Sequence, residues 1–142
     1  MFSLICKDIA QIASYTKQVD NHQFKILKTH TPGPFTFIMK AGNKIPKQFR
    51  NKKKTLGLRI PDDQIVQDLL EALGRPIMST SLPYDENEDI PLLDILEIAS
   101  SYEKQVDHIL HGTSVPGDPS TVVDLTSHIP EVIREGKLPF RG

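Results

Sequence analysis

The chain has 142 residues, 38% hydrophobic and 25% charged, with 17 Lys and Arg against 18 Asp and Glu for a net charge of −1. That length and apolar content fill one core and exclude a disordered chain, and the balanced charge excludes a protein that coats nucleic acid by bulk charge. One cysteine excludes a disulfide framework and any multi-cysteine zinc site. The chain turns charged at Lys7 and Asp8, too early for a signal peptide, and no apolar run approaches the roughly 18 residues of a membrane span. The expectation is one domain over 1–142, soluble and cytoplasmic, with no membrane partner.

Phe2 to Cys6 is short and apolar and reads as a buried strand. Asp8 can cap a helix with Ile9, Ile12 and Ala13 inward, and Asp20 a second with Phe24, Ile26 and Leu27 inward. The second must stop before Thr31-Pro32-Gly33-Pro34, where proline cannot continue it. Phe35 to Met39 and Thr55 to Ile60 read as strands. Asp62 or Asp63 caps a helix carrying Ile65, Val66, Leu69, Leu70 and Leu73 at helical spacing, and Gly74 supplies its left-handed end. Ile77 to Thr80 reads as a short strand, residues 82–90 as an acidic loop, and Pro91 as the first turn of a helix through Ile98. Val106–Leu110, Thr121–Leu125 and Val132–Arg134 complete the strands. The fold class expected is α/β (α+β), a mixed sheet flanked by helices.

Four features could carry chemistry. Lys40, Lys44, Lys47, Arg50, Lys52, Lys53, Lys54 and Arg59 are 8 of the 17 basic residues, with no acid among them. The stretch is either a solvated lysine-rich loop or a patch that holds phosphates. It runs into Thr55-Leu56-Gly57-Leu58-Arg59, where alternation puts Thr55, Gly57 and Arg59 on one face. A hydroxyl, a bare backbone and a guanidinium together suit an anion, since arginine's fork matches carboxylate or phosphate. Ser79 and Ser81 share a face at the end of a strand, either lining a crevice or capping a turn before Pro83. Ser120 leads into one late strand, and Arg134, next to Glu135-Gly136, ends another. That arginine could reach a phosphate or pair with an acid. Cys6 reads as an inert buried thiol, and His108 and His111 would face opposite sides of a strand, so no shared metal is expected.

Taken in order, Thr31-Pro32-Gly33-Pro34-Phe35-Thr36-Phe37-Ile38, Thr55-Leu56-Gly57-Leu58-Arg59-Ile60-Pro61, Ser79-Thr80-Ser81, Pro119-Ser120-Thr121-Val122-Val123-Asp124-Leu125 and Ile133-Arg134-Glu135-Gly136 resemble the YrdC-like domain family of threonylcarbamoyl-AMP synthases. Residues 70–82 and Glu103-Lys104-Gln105-Val106-Asp107-His108-Ile109-Leu110-His111-Gly112 look most like its YciO branch. The resemblance implies a twisted mixed sheet of the YrdC/RibB-like kind with a positively charged concave face. It implies joining of L-threonine, bicarbonate and ATP, with Mg2+ accompanying the ATP, into threonylcarbamoyl-AMP and pyrophosphate, on the way to modified adenosine 37 of tRNA. By resemblance, Thr55, Ser81 and Arg134 match ATP-contacting positions, and Arg59, Ser79 and Ser120 match threonine-contacting ones; no covalent nucleophile is implied. The alternative is a non-catalytic module holding double-stranded RNA or tRNA through Lys44, Lys47, Arg50, Lys52, Lys53 and Lys54.

Two departures stand out. The family's Pro-Thr-Asp-Thr-x-Tyr-Gly-Leu and Lys-x-Arg segments, normally upstream, have no counterpart here, so the expectation is a domain truncated at its amino terminus, completed by a separate fragment or by self-association. Leu82-Pro83 stands where the synthases proper have Ala-Asn.

Overall fold

The computed structural model describes residues 2–81, 95–112 and 119–142. They fall into two compact units, residues 1–80 with 119–142, and residues 81–118. The first holds a six-stranded mixed sheet built from β1 (Ser3–Ile5), β2 (Phe35–Lys40), β3 (Thr55–Arg59), β4 (Ile77–Ser79), β5 (Thr121–Asp124) and β6 (Glu131–Arg134), in the order β4-β1-β3-β2-β5-β6. β1 runs parallel to β3 and β2 parallel to β5; the other neighbours are antiparallel.

Local chemistry sets the helix ends. In α1 (Ile9–Tyr15) the Asp8 carboxylate accepts from Gln11 N at 2.9 Å. In α2 (Asn21–His30) Asp20 and Gln23 form a reciprocal capping box, with Gln23 N donating to Asp20 Oδ1 at 2.7 Å and Asp20 N donating to Gln23 Oε1 at 3.0 Å. In α3 (Gln64–Leu73) Asp63 is the cap, and Gly74 ends the helix at φ 68°, a left-handed conformation that suits glycine.

One sheet face carries the core. Leu4, Phe37, Met39, Leu56, Leu58 and Val123 point to it, and Ile12 from α1 with Ile26 and Leu27 from α2 close over it. Strand alternation puts Ser3, Thr36, Gly57, Arg59 and Val122 on the opposite face, where Thr36, Gly57 and Val122 are buried as well and Ser3 and Arg59 are partly exposed. Several apolar residues expected inward are not. Ala13, Phe24, Ile65 and Leu73 are exposed, because each helix buries a narrower stripe than its apolar pattern spans.

In the second unit α4 covers Ile95–Tyr102. Val106–Leu110, expected as a strand, has no regular structure. Val106 and Leu110 are exposed, and among the described residues no neighbouring strand pairs with the segment to satisfy its backbone. The acidic loop 82–90, the Leu82-Pro83 departure and the Pro91 helix start lie outside the described residues. Among the described residues no helix is long and apolar enough to cross a membrane.

Candidate functional site

The face of the sheet opposite the core is organised in transverse rows. Ile5 is opposite Arg59, and Thr36 is opposite Val122, which is opposite Arg134. One residue on from the Phe37–Leu58 pair, Thr36 is also the neighbour of Arg59. Arg59 and Arg134 therefore bracket Thr36 and Val122 in one row, three strand spacings or about 14 Å apart at their Cα atoms. Two long side chains can close much of that gap. The next row runs Ser79, Ser3, Gly57, Ile38 and Asp124. Thr55 lies a further row along, opposite Lys40 and about 13 Å down the strand from Arg59.

Gly57 leaves the middle of this face bare of side chain. A Cβ there would lie 3.1 Å from Ser3 Oγ and 3.1 Å from Thr36 Cγ2. Thr36 and Ser120 share a hydrogen bond between hydroxyls at 2.7 Å. Arg134 Nη2 donates to Ser120 O at 2.8 Å and to Ser120 Oγ at 3.3 Å, and its Nε donates to Ser120 O at 3.2 Å. On the far side Ser79 Oγ donates to Ser3 O at 3.1 Å, which leaves its lone pairs free to accept.

Arg59 differs from its neighbours. Its Nε is buried and has no hydrogen-bond partner. Among the described residues no carboxylate pairs with it or with Arg134. Burial, and then the positive charge of Arg134, lower its pKa from the ordinary arginine value. Two cations thus share one sheet face without a counter-charge among the described residues. A bound anion would relieve both the orphaned donor and the repulsion.

Arg59, Ser79, Ser120 and Arg134 share this face. Thr55 is on it too, but its hydroxyl already accepts from Asn51 Nδ2 at 2.8 Å and its row is remote from the arginines. Ser81 is exposed and belongs to the second unit. In the basic stretch, Lys44, Lys47, Lys52, Lys53 and Lys54 are exposed around a single 3-10 turn at Lys47–Phe49, whereas the Arg50 guanidinium donates to Ile45 O at 2.9 Å and Gly42 O at 3.2 Å, bracing the loop. Sequence reasoning missed Ser3 and Thr36 as members of the face. Alternation with Phe35, Phe37 and Met39 contains the signal for Thr36. Ser3 needed the β1–β3 register. Among the described residues no group of three His, Cys, Asp or Glu is placed to hold a metal ion.

The fold is that of a mixed-sheet α/β domain with two arginines on the sheet face opposite its main core. The Sua5/YciO/YrdC family model, described as "Telomere recombination", matches residues 1–136, and the chain belongs to that family. It is 44% identical over 136 residues to the uncharacterized protein YciO of Escherichia coli K12, covering 95% of this chain and 65% of that one. It is 43% identical to an uncharacterized Haemophilus influenzae protein with the same coverage. The chain thus spans just under two thirds of the length of these relatives. The crystal structure of E. coli YciO superposes with a TM-score of 0.86 at 43% identity, over 95% of this chain and 65% of that chain. P. abyssi Sua5, crystallised in complex with L-threonine, superposes at 0.83 with 24% identity, over 97% of this chain and 40% of that one, a likeness of fold. The family and the mixed α/β sheet expected from the sequence both hold.

Proposed function

We propose that the sheet face between Arg59 and Arg134 forms a hollow that binds L-threonine and ATP, as part of a site that joins threonine and bicarbonate to the adenylate of ATP for tRNA modification. One observation carries this reading: the Arg59 guanidinium, buried at Nε, without a carboxylate partner among the described residues, and close enough to Arg134 to feel its charge. Its planar fork suits an amino-acid carboxylate, with Ser79 and Ser120 beside it to meet the amine and hydroxyl of threonine. Arg134 takes the phosphates of the nucleotide, which arrives with its Mg2+. The threonine amine forms a bond to the bicarbonate carbon with loss of water. A carbamate oxygen then bonds to the α-phosphorus as pyrophosphate leaves. No protein nucleophile is needed, so the protein contributes position and charge. The complex of P. abyssi Sua5 with L-threonine supports the choice of amino acid.

The test is calorimetric titration of the chain with L-threonine, alone and with ATP and Mg2+, alongside assay of threonine-dependent pyrophosphate release. Saturable threonine binding that Arg59→Ala abolishes is the expected result. Binding that survives Arg59→Ala overturns the assignment.

A second reading rests on a different observation. Five exposed lysines, Lys44, Lys47, Lys52, Lys53 and Lys54, crowd one excursion between β2 and β3 with no ion pair among the described residues. Such a surface fits the phosphates of double-stranded RNA. Retention of an RNA duplex that weakens steeply with salt, and that Lys→Glu changes at positions 52–54 abolish, is what it requires.

A further inference from the structure

The segment that follows β6 has no part in the reading above, yet it is densely cross-braced to the start of β5. Gly136 N donates to Thr121 Oγ1 at 3.0 Å, and the same hydroxyl donates to the Leu138 carbonyl. Lys137 N donates to Pro119 O at 2.9 Å. Gly136 lies so near the Pro119–Ser120 backbone that a Cβ there would collide with the Pro119 carbonyl oxygen and the Ser120 carbonyl group. Further along, the Phe140 ring stacks on His30 at 4.7 Å, and Arg141 N donates to His30 Nε2 at 3.4 Å. His30 itself is buried and, through Nδ1, donates to Ile26 O at 2.7 Å, so the tail is moored to α2.

The bonds at Pro119 and Thr121 flank Ser120 on both sides. The Ser120 carbonyl is the acceptor that holds Nε and Nη2 of Arg134, and the Ser120 hydroxyl is the partner of Thr36. Arg134 needs such help. It sits on an edge strand whose four residues are all exposed, next to a bulge between Val122 and Val123. A guanidinium there would otherwise sample many rotamers and lose that freedom on binding. Held by the Ser120 carbonyl along one edge, it keeps Nη1 without a hydrogen-bond partner among the described residues. Thr121 cannot meet a ligand. It is fully buried and its side chain is on the core face, beside Phe35 in register.

We infer that Thr121 and Gly136 are positioning residues: they form a clasp that fixes the Ser120 peptide and, through it, aims Arg134 at an anion in the hollow. The clasp lies behind the site and acts by preorganisation, sparing the ligand the cost of ordering an edge arginine. This inference rests on the anion-binding reading of the hollow, and its test separates the two.

The experiment uses the full chain with inorganic pyrophosphate as the probe. Thr121→Val keeps the shape of the side chain and removes its hydroxyl; Thr121→Ser keeps the hydroxyl. Calorimetry below the melting range gives affinities. In 15N spectra the Arg134 Nε–H resonance, assigned by its loss in Arg134→Lys, reports the bond to Ser120. Thr121→Val is expected to weaken pyrophosphate binding about tenfold, the equivalent of one hydrogen bond. It should also broaden the Arg134 resonance, while Thr121→Ser restores both. Wild-type affinity with a sharp resonance in folded Thr121→Val overturns the clasp, as does a Thr121→Ser chain that binds as poorly as Thr121→Val. If the wild-type chain binds no pyrophosphate, the functional reading fails, and the resonance alone still decides whether the clasp holds Arg134. Should Thr121→Val not fold, Phe140→Ala loosens the clasp from its outer end; an unchanged resonance there also overturns the inference.

Discussion

Arg59→Met should make the ligand-free protein more stable and nearly unable to bind a carboxylate. The orphaned Nε costs on the order of 1–3 kcal/mol as a buried donor without a partner. The repulsion from Arg134, which lowers the Arg59 pKa together with burial, adds to that cost. Methionine has similar reach and restores most of the aliphatic contact, so the net gain is about 1 kcal/mol after packing losses. For a chain of this size that is a rise of roughly 3 °C in Tm. The same change removes a bidentate, charge-assisted pair worth about 2–3 kcal/mol, a loss of about 30- to 150-fold in affinity for L-threonine. Scanning fluorimetry reads the first effect and calorimetry the second. Sulfate should narrow the stability gap, because an anion in the hollow stabilises the wild type and not the variant. A Tm that falls in Arg59→Met refutes the reasoning, since it would make Arg59 a structural strut.

Gly57→Val should cost about 2 kcal/mol in urea denaturation, because its methyl groups are driven into Ser3 and Thr36 across the floor of the hollow; a neutral substitution would mean that the floor is not crowded. Cys6 gives a pH prediction. Burial first, and the Asp8 carboxylate second, push its thiol up to about 12 from an ordinary 9.0. The unfolded chain therefore ionises first, so the thiol's contribution is constant below pH 8. Between pH 9 and 12 it lowers stability by about 1.4 kcal/mol per pH unit. Cys6→Ala should remove that part of the alkaline slope in chemical denaturation, and an identical slope in both chains counts against it.

Short-range information was plain in the sequence. Asp8, Asp20 and Asp63 each accept from the backbone N–H three residues on, and Gly74 takes the left-handed turn, because capping depends only on residues within one helical turn. The face-sharing of Gly57 and Arg59 followed from strand alternation alone. Val106–Leu110 was misread for a related reason. An apolar run has strand propensity, but a strand exists only where a neighbour takes its hydrogen bonds. The exposed sides of Phe24, Ile65 and Leu73 depend in the same way on what lies opposite them.

Sequence by itself determined the helix caps, the six strands of the sheet and the residue types able to hold an anion, since each is decided by contacts within a few residues. Only the tertiary structure decided that β3 and β2 bring Arg59 beside Thr36, that β5 and β6 bring Arg134 to the other end of the same row, and that no carboxylate among the described residues pairs with either arginine. Strand order and register are set by side chains far apart in the chain competing to bury one common face, and no local pattern encodes which partner wins.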